Sequence, residues 1–216
     1  MNNANAKEQM LKSVRDALIE RAPAPFRELD LESSVYHDFK SSLDIEFAEN
    51  FIRSGGKFVY CESIQEAIDS IQFFTHQENW DKMYCAEDLL QRILTYAGLP
   101  FTDHPNELIV RKVGMMTCDF LVARTGSIVF SSQSASGQRL FSVLDTQIVV
   151  ATVEQIQPDL QSVFKLIKEK FTTKMPSKFS IVNGLSKIED IDGESQQGLG
   201  AKQLYLFLID TSTPQQ

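Results

Sequence analysis

The run QIVVAT, residues 147–152, is a short apolar stretch bounded by polar residues, and its IVVA centre shows no alternation. A strand with one wet face alternates apolar and polar side chains, whereas a strand covered on both faces does not. The run therefore predicts a strand inside a parallel sheet. Working outward, Pro158 precedes Leu160, Val163, Phe164 and Ile167 at helical spacing, and residues 178–182 and 203–209 read as two further strands. Upstream, KFVYC at 57–61 predicts a strand, followed by a helix through Ile64, Ala67, Ile68 and Ile71. Residues 82–85, a helix over 87–96 closed by Gly98, and strand-like stretches at 120–123 and 128–130 continue the rhythm. Strands alternating with helices predict an α/β domain with a mostly parallel sheet, whose ligands sit at the carboxyl ends of the strands.

Ahead of this domain the pattern is helical. Met10, Val14, Ala17 and Leu18 recur at helical spacing within residues 6–21, and Pro23 and Pro25 end the pattern. A second stripe, Leu43, Phe47, Phe51 and Ile52, stops at Gly55-Gly56, a left-handed cap. The reading divides the chain into a helical segment over 1–54 packing on the main domain, an α/β domain over 55–210, and a frayed tail over 211–216.

Composition narrows the function classes. With 21 basic against 29 acidic side chains, the formal charge of −8 argues against nucleic-acid binding, which depends on cations displacing counterions from phosphates. The acidic residues concentrate between Glu28 and Asn50, as a solvated face or a docking surface for a basic partner. Cys61, Cys85 and Cys118 are too widely spaced for a disulfide scaffold, zinc site or iron–sulfur cluster, and are expected to be reduced and buried. No apolar run reaches the ~20 residues that span a bilayer and the N-terminus lacks a signal-peptide core, so a cytoplasmic protein without membrane insertion is expected. His37, His76 and His104 are isolated, and neither a Gly-x-Ser-x-Gly elbow, a P-loop nor a Gly-x-Gly-x-x-Gly loop occurs. No metal site and no cofactor is evident in the chain.

Three loops carry the candidate site. In Arg124-Thr125-Gly126-Ser127, Gly126 can take positive φ, so the stretch is either a plain hairpin turn or an anion-binding concavity of N–H and hydroxyl donors. Ser131, Ser132 and Gly137 lead to Arg139, which suits either a surface loop or the approach of an anionic group to a short helix. Between the last two strands, NGLSKIEDIDGESQQGLG at 183–200 brings Gly184, Ser186, Lys187 and Asp190 together in a long polar loop. Loops of this length in a domain are often functional.

The order of these segments, "CDFLVARTGSIVFSS", "QIVVATVEQIQPDL", "IVNGLSKIEDID" and "LGAKQLYLFLID" after a Gly-Gly pair, resembles the LUD-domain family of lactate-utilisation proteins. The likeness is to the C-type subunit without iron–sulfur motifs, over roughly residues 40–210. It implies a three-layer fold similar to the NagB/RpiA/CoA-transferase group, with an N-terminal helical extension. It also implies a cytoplasmic accessory role in oxidising L-lactate, beside iron–sulfur redox subunits and with a small anionic ligand. Thr125, Gly126 and Ser127 match the family's Thr-Gly-Thr/Ser, and Gly184, Ser186, Lys187, Asp190, Ile191 and Asp192 match its second motif. Arg124 stands where an acid is usual, Leu185 replaces a proline, and Leu199 stands at a histidine position. The resemblance carries over no catalytic residue, so enzymatic activity stays open. The alternatives are a ligase or transferase using a nucleotide or CoA-type ligand, and a non-catalytic interaction module.

Overall fold

A six-stranded sheet, parallel throughout, lies at the centre of the computed structural model, which describes residues 3–19, 36–107, 112–132, 143–172, 175–185, 187–189, 195–197 and 201–211. Its order is β1 (Lys57–Cys61), β12 (Gln203–Ile209), β7 (Thr146–Thr152), β4 (Val113–Thr117), β2 (Met83–Tyr84) and β3 (Phe101–Thr102). The QIVVAT run is the body of β7, paired with β12 and β4 in register from Thr146 onward, and its apolar residues are buried on both faces.

Side-chain alternation along these strands builds two cores. Ile148, Val150, Tyr205 and Phe207 face helices α3 (Ile64–Gln77) and α4 (Asp88–Tyr96), whose Ala67, Ile71, Leu90 and Leu94 fill that side. Val149, Ala151, Leu204, Leu206 and Leu208 face the other way, onto α2 (Leu43–Arg53) and a second sheet. That sheet has the order β8 (Ile156–Gln157), β5 (Phe120–Val122), β6 (Ser127–Ser131) and β9 (Phe179–Val182). Its outer face packs on α5 (Leu160–Lys170) through Phe120, Val122, Val129, Val163 and Ile167. The result is the expected layered α/β fold with a mainly parallel sheet.

Local chemistry sets the helix ends. Ser63 caps α3 by accepting from the Glu66 N–H, and Asp159 caps α5 by accepting from Ser162, satisfying amides that have no partner within the helix. Burial of Phe47 and Phe51, stacked at 5.6 Å, makes α2 an integral part of the core. Residues Met1–Asp38 form a separate unit containing α1 (Asn3–Ile19), on which Met10, Leu11 and Val14 are exposed.

Three features depart from the sequence reading. VGMMT at 113–117 does not read as a strand, because Gly and Met carry little β signal. Yet it is a central strand, and a β-carbon at Gly114 would lie 2.2 Å from Leu144 Cδ1. The stretches around 120–130 form an antiparallel hairpin in the second sheet and do not join the main one. The long loop after Asn183 contains a ribbon, β10 (Lys187–Glu189) paired with β11 (Ser195–Gln197). The reading of 212–216 as a frayed tail lies outside the described residues.

Phe51→Ala is expected to cost about 3–5 kcal/mol, seen as a lower urea midpoint with unchanged slope. Phe164→Ala, at a position 46% exposed on α5, should stay within about 0.5 kcal/mol of the parent.

Candidate functional site

Connections leaving neighbouring strands of a parallel sheet on opposite faces open a crevice at their carboxyl ends. Here β2 runs into α4 on one face, whereas β4 runs into the β5–β6 hairpin on the other. Where such a crevice is expected stand Glu87, just after β2, and Thr117, Cys118 and Asp119 at the end of β4.

The polar groups there are tightly fixed. The Glu87 carboxylate accepts from the Thr117 N–H at 3.1 and 3.2 Å and from its hydroxyl at 2.6 Å. Gln155 ties β7 to β4, its side-chain oxygen accepting from the Thr152 N–H at 2.7 Å while its amide donates to the Cys118 carbonyl. Burial pushes the Cys118 thiol far up, and the charges of Asp119 and Glu87 push it the same way. Asp119 accepts from the Ser131 N–H at 2.7 Å and faces the Lys170 ammonium at 3.3 Å. Lys170 also lies 5.4 Å from the centres of the Phe120 and Phe171 rings. The Ser131 side-chain oxygen is buried without a hydrogen-bond partner among the described residues, and Ser132 bonds the Ser177 hydroxyl at 3.2 Å. A buried donor without a partner loses its hydration, at a cost of about 1–3 kcal/mol. An ammonium, hydroxyls and carboxylates at one strand end suit a small ligand that carries both a carboxylate and a hydroxyl.

The structure divides the residues read from sequence. Ser131 and Ser132 sit at this end, whereas Thr125, Gly126 and Ser127 sit at the other end of β6, roughly 13 Å away along the strand. Thr125 and Ser127 bond each other at 2.7 Å, and Ser127 is buried. Gly126, at φ 64°, is pressed against α2, where a β-carbon would lie 2.3 Å from the Phe51 nitrogen. The Asn50 amide secures the same turn by donating to the carbonyls of Ala123 and Arg124. Gly184, at φ 68°, leaves room for the Ser54 carbonyl, to which a β-carbon would be 2.1 Å, and Leu185 N–H donates to that carbonyl at 3.2 Å. Both motif glycines thus converge on the C-terminal half of α2. Arg124, the charge reversal, stacks 4.3 Å from the Phe39 ring centre. It also helps hold Asp159 below the usual carboxylate range, an effect due first to the Ser162 N–H. Of Lys187 the strand backbone alone is described, and Gly137, Arg139, Ser186 and Asp190 lie outside the described residues.

A family model of the LUD domain matches residues 45–209. The chain belongs to the LUD-domain family. It is similar to the crystal structure of a DUF162 family protein from Deinococcus radiodurans, with a TM-score of 0.60 and 16% identity over 77% of this chain and 96% of that one. At that identity the likeness concerns the fold. No curated protein matches the chain.

Sequence reading misses Glu87, Thr117, Asp119, Gln155 and Lys170. The one local signal is a polar break, Thr117-Cys118-Asp119, directly after an apolar run that does not itself read as a strand. The cysteines are as expected, free and buried. Among the described residues no helix is long and apolar enough to cross a membrane, and none form a cluster of three or more His, Cys, Asp or Glu that could hold a metal ion.

Gly126→Ala should destabilise by at least about 2 kcal/mol, because it combines a positive φ with a collision against backbone; the urea midpoint reads this. Burial pushes Cys61 and Cys85 up to about 11, and Cys118 higher, so all three are protonated thiols near pH 8. Iodoacetamide at that pH should leave the folded protein unlabelled and alkylate all three in urea, as read by intact mass.

Proposed function

We propose that this protein is an accessory subunit of a lactate or related 2-hydroxy-acid oxidation system. It holds a small 2-hydroxy acid at the carboxyl edge of its parallel sheet and works beside iron–sulfur partner subunits. Membership of the LUD family supports a role associated with lactate utilisation in general. The observation that carries the ligand assignment is the cluster of Asp119, Lys170 and Ser131 beside the crevice.

In this reading Lys170 receives the ligand carboxylate, already oriented by Asp119 and about half exposed. Ser131 donates to the ligand, and Glu87 or Asp119 accepts from its hydroxyl. Ser132 completes the ligand side, and Gly137 and Arg139 are assigned to it on the sequence alone. Thr125, Gly126, Ser127 and Gly184 keep α2 seated, and Ser186, Lys187 and Asp190 belong to the loop after Gly184. Oxidising a 2-hydroxy acid releases two electrons and two protons. Cluster ligation requires thiolates, whereas the thiols of this chain are buried with raised pKa, so the partners are assigned the electrons.

Lys170→Ala should weaken L-lactate binding by roughly tenfold or more in calorimetry, the loss expected for a charged hydrogen bond, and lose about 1 kcal/mol of stability with its ion pair to Asp119. Affinity purification from native cells should recover cysteine-rich redox proteins, and deletion should slow growth on lactate. Recovery of no redox protein, together with normal growth on lactate, overturns the reading.

A further inference from the structure

A groove of about 500 Å³ opens at the amino ends of the parallel strands, on the edge opposite the Asp119 cluster. Four separate segments form it: residues 78–82 ahead of β2, 112–113 at β4, 145–146 at β7 and 202–203 at β12. Trp80 is part of its lining, 8% exposed and set edge-on to Tyr205 at 5.2 Å, so that wall is rigid. Most charges around the groove are already matched. Lys202 pairs with Asp145 at 3.1 Å, Lys82 with Glu107 at 3.3 Å and Lys57 with Glu78 at 3.8 Å.

Two charges in the lining enter no ion pair among the described residues: Asp81 and Lys112, both exposed. They precede β2 and β4, neighbours in the sheet that pair at Tyr84 and Gly114, so Asp81 stands three and Lys112 two residues ahead of the paired positions. A lone anion drawn to Lys112 would meet Asp81, and a lone cation drawn to Asp81 would meet Lys112. A molecule that carries both charges on one carbon, an ammonium and a carboxylate, answers both walls at once.

We infer that this groove is a binding site for a small zwitterion of the α-amino-acid class. Its carboxylate sits at Lys112, its ammonium at Asp81, and its side chain lies along Trp80 and Val113. The site is independent of the 2-hydroxy-acid site, since it lies at the other edge of the sheet and uses none of the same residues.

Calorimetry on the full chain with L-leucine and its two halves tests this. 4-Methylpentanoate keeps the carboxylate and side chain, and 3-methylbutylamine keeps the ammonium and side chain. Leucine is expected to bind, each half roughly tenfold or more weakly, and Asp81→Asn and Lys112→Met each to weaken leucine by a similar factor. Both substitutions are at exposed positions and should leave the unfolding midpoint unchanged. Should either variant fail to fold, the comparison of leucine with its halves on the parent protein decides alone. The inference is overturned if leucine does not bind at millimolar concentration, if either half binds as well as leucine, or if both folded variants bind leucine as the parent does.

Discussion

Both faces of β7 and β12 must be covered, and that requirement organises the molecule. A parallel sheet satisfies its backbone internally but leaves two apolar surfaces, which α3 and α4 cover on one side. On the other side the cover is composite, made from α2 and the second sheet. A composite layer needs its pieces locked together. The lock is a pair of backbone approaches in which Gly126 and Gly184 let their turns close onto α2 at Phe51 and Ser54. With Asn50 bridging to the Ala123 and Arg124 carbonyls, the helix is held by polar contacts at its end and by aromatic packing along its length.

This arrangement gives the two most recognisable sequence motifs a structural meaning. Thr125-Gly126-Ser127 and Asn183-Gly184 read locally as either plain turns or ligand loops, because turns rich in glycine and hydroxyls suit both tasks. In three dimensions their glycines are occupied by protein backbone, and the Thr125 and Ser127 hydroxyls bond each other. Leu185, where relatives have proline, packs against Gly55 and the α2 side of the core. Arg124 directs its charge at Phe39 and Asp159.

Legibility in the sequence tracks where its information is local. QIVVAT, KFVYC and QLYLFLI carry dense β-branched and aromatic signals, and α2 to α5 carry clean periodicity, so the fold class can be read. VGMMT cannot, since its strand state is imposed by neighbours on both sides, and the crevice depends on that strand. The Glu87 to Thr117 bond spans 30 positions and the Asp119 to Lys170 pair spans 51, so neither leaves a spacing motif. Ser131 and Ser132 are readable because they sit at a strand end, where polarity changes abruptly.

Electrostatics at the carboxyl edge bear on how a ligand would be held. Glu62, Glu87, Asp119, Glu154 and Asp210 all lie at or just beyond strand ends there, against Lys170 and Lys178 beside the Asp119 cluster. An anion brought to this edge meets repulsion from most of it and attraction at the Asp119 cluster. Unit charges interact by about 1 kcal/mol at 4 Å in water and about 4 kcal/mol near a protein surface, so one lysine offsets only its nearest acids. Asp119 is the nearest, and its charge is already directed at Lys170 and the Ser131 N–H. The lysine is thereby placed, with some loss of its attraction for a ligand. Such an arrangement would favour weak, exchangeable binding of an anion over tight capture. The same acidity that weakens an anion's hold would favour a cationic group at this edge, which lowers the local repulsion.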